Sequence, residues 1–298
     1  MFDNVVVGVD EGEGGRDAVA LARMLAGDGA DLTLVHVSAA ELLPSRGSRP
    51  RFDSIERQRI HDMLRKVSHD AGITAKLRTF EATTVGRGLH VYAESHGADL
   101  LVIGSTRRGL FGRVLIGDDT RQALNGAPCA VAIAPAGYCR EPALVRDVGV
   151  GYDGSPESEH ALGLARELAR RHSARLSAFE AVSVPAYVYL GPSAVVDPDM
   201  IEGTVERARA RIGMLGDVEA HAAYGDVVEE LTLFSASVDL LVVGSRGYGP
   251  LGRLVHGSTA QHLARTARSP LLVLTRAARV QLPIDDGETV SETATVAG

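Results

Sequence analysis

Glycines and hydroxyls crowd the stretch VVGSRGYGPLGRLVHGST, from Val242 to Thr259. Residues of these types hold phosphates: glycine lets backbone N–H groups come close to an anion, and Ser or Thr at a helix start adds a hydroxyl. Three spacings overlap in it. Gly247, Gly249 and Gly252 spell G-x-G-x-x-G, the dinucleotide fingerprint. Gly252 to Thr259 spell G-x-x-x-x-G-S-T, a phosphate loop with Ser258 where that motif has lysine. Gly244, Gly247, Gly257 and Ser258 make the third set, G-x2-G-x9-G-S.

The elements around the stretch decide among them. A dinucleotide loop follows the first strand of a βαβ unit and needs an acid about 20 residues on. Here the loop follows the fourth strand of its half, and the segment at that distance, Leu271–Leu274, is wholly apolar. A phosphate loop of the lysine type needs Gly252 directly after a strand, and no lysine occurs from Val242 to Thr259. In the third set, Gly244 ends an apolar strand and Gly257-Ser258-Thr259 opens a helix. That helix start offers N–H groups and positive partial charge, and Arg246 and Arg253 can add charge-assisted contacts. A helix cap and turn glycines are the plainer reading of any one of these residues. Four positions in one spacing, at the carboxyl end of a parallel strand, argue for a ligand.

The chain also repeats itself. Val7-Gly8-Val9-Asp10 returns as Val150-Gly151-Tyr152-Asp153, and Ala18–Arg23 as Ala161–Arg166. Ala98–Ser105 returns as Val238–Ser245, and Ala127-Pro128 is matched with Ser269-Pro270. The order is kept, which marks a duplicated domain. In the first half, strands are expected at Asn4–Val9, Leu32–Val37, Ile73–Phe80, Leu100–Ile103 and Ala130–Ala134. Helices are expected at Arg16–Ala26, Ser54–Ala71, Leu89–His96 and Asp118–Asn125. Alternating strands and helices with β-branched apolar strands predict an α/β fold, a parallel sheet covered on both faces. Domains are expected at residues 1–137 and 147–277, with a linker at Tyr138–Arg146. The polar, aperiodic tail at 279–298 predicts disorder.

Composition narrows the function classes. The chain has 298 residues, 4% aromatic, with a formal net charge of -7. Few rings leave little for bases to stack on, and no overall field draws nucleic acid or an anionic membrane. Two cysteines, Cys129 and Cys139, carry no C-x-x-C partner and fit a reducing cytoplasm. The N-terminus has no basic region and its apolar run is short for a signal or a span. No His-Glu-x-x-His or G-x-S-x-G is present, and nothing picks out an acid–base pair. Hydrolysis or transfer of a phosphate, and a scaffold without ligand, remain the alternatives to a binding module.

On these residues the two halves resemble the universal stress protein family in its tandem form. Gly244, Gly247, Gly257 and Ser258 match that family's ATP-binding motif. Asp153 matches its ribose-binding acid, followed by Gly154 and Ser155. The resemblance implies two tandem Rossmann-like domains, each a five-stranded parallel sheet flanked by helices. It implies adenine contact through backbone near Ala181 and Val243 against the base; Thr259, beside Ser258, can cap the helix start. The cofactor implied is ATP, with or without Mg²⁺; Asp153 is the candidate metal contact, although a ribose role fits the family better. It implies pairing of the halves through Ala130–Ala134 and Leu271–Leu274, or a homodimer.

The first half departs from the motif. Its loop, GSTRRGLFGRVLIGDDT, keeps Gly104 and Gly117 but has Arg107 for the second glycine and Asp118 for the serine. A carboxylate about 4 Å from a phosphate costs on the order of 4 kcal/mol at an effective dielectric of about 20. That is roughly a thousandfold in affinity. The first half is therefore expected to bind nucleotide weakly or not at all.

Overall fold

The computed structural model describes residues 2–39, 50–105, 122–142, 144–183, 198–245 and 258–275. The first half runs β1 (Phe2–Gly8), α1 (Glu13–Leu25), β2 (Ala26–Ala39), α2 (Pro50–Asp70), β3 (Lys76–Ala82), α3 (Val85–Ser95), β4 (Leu100–Gly104) and β5 (Ala130–Ala134). The second runs β6 (Asp147–Gly151), α4 (Pro156–His172), β7 (Arg175–Val182), α5 (Pro198–Gly213), β8 (Glu219–Tyr224), α6 (Val227–Phe234), β9 (Leu240–Gly244), α7 (Ser258–Thr266) and β10 (Leu271–Leu274). Each half is a Rossmann-like α/β unit with a parallel sheet of five strands. The sheet order is β3-β2-β1-β4-β5-β10-β9-β6-β7-β8. At its middle β10 runs antiparallel to β5, with Leu271 opposite Ile133 and Leu272 opposite Ala132.

Alternation along the strands explains why they are apolar throughout. Val5, Val7, Leu100 and Val102 face one layer, which holds α1, α2, α4 and α5. Val6, Leu101 and Ile103 face the other, which holds α3, α6 and α7. A strand covered on both faces has no solvent side to make polar.

The repeated residues prove to be the joints of this frame. Asp99 and Asp239 sit at equivalent places before β4 and β9. Asp99 accepts from the N–H groups of Asp3 and Asn4, at 2.7 and 3.2 Å, and Asp239 from those of Arg146 and Asp147, at 2.8 and 3.0 Å. Each thereby clamps the start of its half's first strand. Arg23 and Arg166 donate to Ala71 O and Leu215 O, at 2.8 and 3.2 Å, just past the ends of α2 and α5. A cation there satisfies a carbonyl and opposes the negative end of the helix dipole.

Several expectations shift: the first helix begins at Glu13 rather than Arg16, and the helix expected at Leu89–His96 begins at Val85, capped by Thr84. The third strand begins at Lys76, not Ile73, because the chain turns at Gly72 (φ +62°) and Ile73 is tied back to Ser68 through its N–H and carbonyl. The second is longer than expected, Ala26–Ala39, with a register shift where it meets the start of β1. The match of Ala127-Pro128 with Ser269-Pro270 is two residues out. Gly104 lies beside Ala134 and Gly244 beside Leu274, so Ser269-Pro270 corresponds to Cys129-Ala130. The helix expected at Asp118–Asn125 is described only at 122–124. The tail at 279–298 lies outside the described residues.

The connection between the halves is fastened by a residue that sequence reading passed over. Asp17, on α1 and 1% exposed, accepts from the N–H groups of Gly137 and Cys139, both at 2.8 Å. Asp17→Ala strands two part-buried donors, each previously bonded to a charged group. It is expected to cost about 3 kcal/mol in urea unfolding, and Asp17→Asn less, since the amide oxygen still accepts.

The two thiols are free. Cys129 is 2% exposed, and burial, aided by the nearby charge of Asp99, pushes its thiol up to about 12. Cys139 is partly exposed, its thiol raised by burial and by its hydrogen bond with Asp17. Because the thiolate is the reactive form, a disulfide reagent at pH 8 is expected to titrate one thiol slowly in the native chain. It should titrate both in denaturant.

Candidate functional site

In a doubly wound sheet the ligand crevice opens at the carboxyl ends of the strands, where the order reverses. In the second half that point lies between β6 and β9. Gly151 at the end of β6 pairs with Phe179 of β7 on one side and with Val243 of β9 on the other. Asp153 follows two residues after Gly151, Ala181 lies two residues after Phe179 near the end of β7, and Ser245 follows β9 directly. Gly244 lies just below Ser245.

The turn after β6 is built locally. Asp153 Oδ1 accepts from Ser155 N–H at 3.0 Å, Gly154 takes φ +75°, and Ser155 caps α4, accepting from Ser158 N–H. Pro156 occupies the first turn and Glu157 and Glu159 follow, both favourable at a helix start. Asp10 makes the corresponding turn in the first half, where its Oδ1 accepts from Gly12 and Gly15 N–H at 3.0 and 3.3 Å. The acid therefore serves the turn in both halves, whether or not it also meets a ligand.

Gly244 has an equally structural reason to be glycine. A Cβ built on it would lie 2.5 Å from the carbonyl oxygen of Glu157 in the first turn of α4. On Gly104 it would lie 2.0 Å from the carbonyl oxygen of Gly14 in α1. The first glycine of the motif is kept in both halves because the helix backbone comes that close. Val243 is 6% exposed and buried in the layer with Leu231 and Phe234. Its Cγ1 lies 3.2 Å from where a Cβ of Gly151 would sit, so Gly151 makes the space it occupies. Ala181 is partly buried against the same layer.

Ser258 begins α7, followed by Thr259. Arg246, Gly247 and Gly257 lie outside the described residues, as do Arg107, Gly117 and Asp118 of the first half.

A polar group behind the edge had no signal in the motif. The Tyr152 hydroxyl donates to Glu159, and its phenol is pushed up to about 12, first by burial and then by that bond. Glu180 of β7 pairs with Arg211 of α5. These four residues tie the ends of β6 and β7 to α4 and α5, directly behind Asp153 and Ala181. Of the four only Glu180 lies in a strand, between Phe179 and Ala181.

Comparison with known proteins agrees with this frame. The model of the Universal stress protein family matches twice, at residues 1–135 and 145–275. The Universal stress protein Rv2005c of Mycobacterium tuberculosis is 29% identical over 296 residues, covering 90% of this chain and 96% of that one. A universal stress protein structure from Archaeoglobus fulgidus superposes with a TM-score of 0.66 at 16% identity, covering 92% of this chain and 98% of that one. A second, from Pseudomonas aeruginosa, gives 0.62 at 18% identity, with 92% and 94% covered. At such identities these two structures speak to the fold.

Proposed function

Since this chain belongs to the universal stress protein family, we propose that it is an ATP-binding regulatory module whose second half carries the site. The observation that carries this is that Ala181 and Gly244 lie at the carboxyl ends of the two strands that pair with β6, and that Asp153 follows the end of β6 itself. There a carboxylate, strand-end backbone and a side-chain-free approach stand together, with α7 opening at Ser258. Asp153, with Gly154 and Ser155, would hold the ribose. Backbone near Ala181 and the side of Val243 would meet the base. Gly244, Arg246, Gly247, Gly257, Ser258 and Thr259 would hold the phosphates, with or without Mg²⁺. The first half, with Arg107 and Asp118 in its loop, serves mainly as structural partner.

In this reading residues 1–137 and 147–277 are the two functional units. Occupancy of the second biases how the chain meets its partners, a second copy included, during stress adaptation in the cytoplasm. No helix among the described residues is long and apolar enough to cross a membrane. The test is to denature the purified protein and identify released nucleotide by chromatography and mass spectrometry. Adenine nucleotide near one per chain is expected. Recovery of none, with no ATP binding by calorimetry, would overturn the reading in favour of a scaffold.

A further inference from the structure

The seam between the halves is built on an approximate twofold relation. β5 and β10 run antiparallel about Ala132 and Leu272, and the register that sets Ala134 equivalent to Leu274 sets Pro135 equivalent to Thr275 and Cys129 to Ser269. On one side of the axis, Thr275 Oγ1 donates to Cys129 O at 3.0 Å, fully buried. On the other side, the same relation brings Pro135 to Ser269. Proline has no hydroxyl, so that bond cannot form.

What the chain builds there instead is a small cavity of about 30 Å³, lined among others by Ser105, Pro135, Leu263, Ala267 and Ser269. Ser105 is 4% exposed and Ser269 is 7% exposed. Neither hydroxyl finds a partner among the described residues. A buried hydroxyl is costly unless it is bonded, and a molecule held in a cavity that both hydroxyls line can serve the two at once. A cavity needs roughly 10–15 Å³ of such volume, and two to four polar partners, to hold a water. This one has the room for a water.

We propose that the cavity is a binding site for a single water molecule, which does for Ser269 what the Thr275 hydroxyl does for Cys129. Its partners are Ser105 Oγ, Ser269 Oγ and the Ser269 carbonyl. The site ties Ser105, which directly follows Gly104 of the first half's loop, to the far end of α7 in the second half. It stands independently of any nucleotide reading.

The experiment is a high-resolution crystal structure of the full chain, with melting curves of Ser105→Ala, Ser269→Ala and, as reference, Thr275→Val. Density about 2.8 Å from both serine oxygens is expected. Each serine variant should melt lower, by about 2–4 °C, as Thr275→Val does, because a bonded group has been lost. The double variant should fall by less than the two falls combined, since both hydroxyls hold one molecule. If the hydroxyls are dry, removing them relieves a penalty and melting rises. Either a rise in melting or the absence of density at that point overturns the proposal.

Discussion

Gly244→Ala is expected to destabilise the protein by about 3 kcal/mol or more, before any question of ligand arises. The added carbon would sit 2.5 Å from Glu157 O and 2.7 Å from Glu157 C. Both belong to the backbone of α4, which cannot rotate away as a side chain would. The helix must move off the sheet, and with it Leu162, Leu164 and Leu168, all fully buried. Gly104→Ala should be at least as damaging, because its nearest atom is 2.0 Å away. A control of opposite sign lies on α5. Gly203 has nothing within 4 Å of its would-be Cβ, and Gly203→Ala should stabilise by about 0.5–1 kcal/mol. Urea unfolding of the three variants checks all three signs. If Gly244→Ala unfolds at the same urea concentration as the parent, the close approach of α4 to β9 is wrong. The prediction also bears on how the site is probed. Loss of nucleotide binding in a Gly244 variant would report a displaced helix as readily as a lost phosphate contact.

That dual role shows why the sequence was readable in part. Apolar strands such as Val5–Val7 and Leu100–Ile103 announce a sheet covered on both faces, and the repeat announces two copies of it. The motif spacing then points to the carboxyl edge of the sheet, since Gly244 ends β9 and Asp153 follows the end of β6, the strand that pairs with it. What the sequence could not give is the purpose of each recurrence. Asp99 and Asp239 recur just before β4 and β9, yet each clamps another strand. Nothing in the local pattern of α1 sets Asp17 apart from an ordinary helix charge. It is buried because its partners, Gly137 and Cys139, lie about 120 residues further on, a long-range pairing that local pattern does not encode. The offset in matching Ala127-Pro128 has a similar cause. Proline suggests alignment by local turn chemistry, whereas strand register, set by Gly104 and Gly244, fixes the true counterpart.

Ser258→Asp is expected to weaken ATP binding about a thousandfold in calorimetry while leaving the urea midpoint within experimental spread. Both halves of that expectation follow from what the substitution changes. Aspartate starts a helix as well as serine does, so α7 should form as before. The same carboxylate near a phosphate costs on the order of 4 kcal/mol at an effective dielectric of about 20, which is about three powers of ten in affinity. Ser258→Thr keeps the hydroxyl and should bind close to the parent level. The chain has already made the substitution once, because Asp118 stands at this place in the first half. The parent protein should therefore bind one ATP per chain rather than two. An unchanged affinity in Ser258→Asp would remove the loop from the site. A second equivalent of ATP bound with similar affinity would mean that Arg107, Arg108 and Arg113 neutralise Asp118, and that the two halves are functionally alike after all.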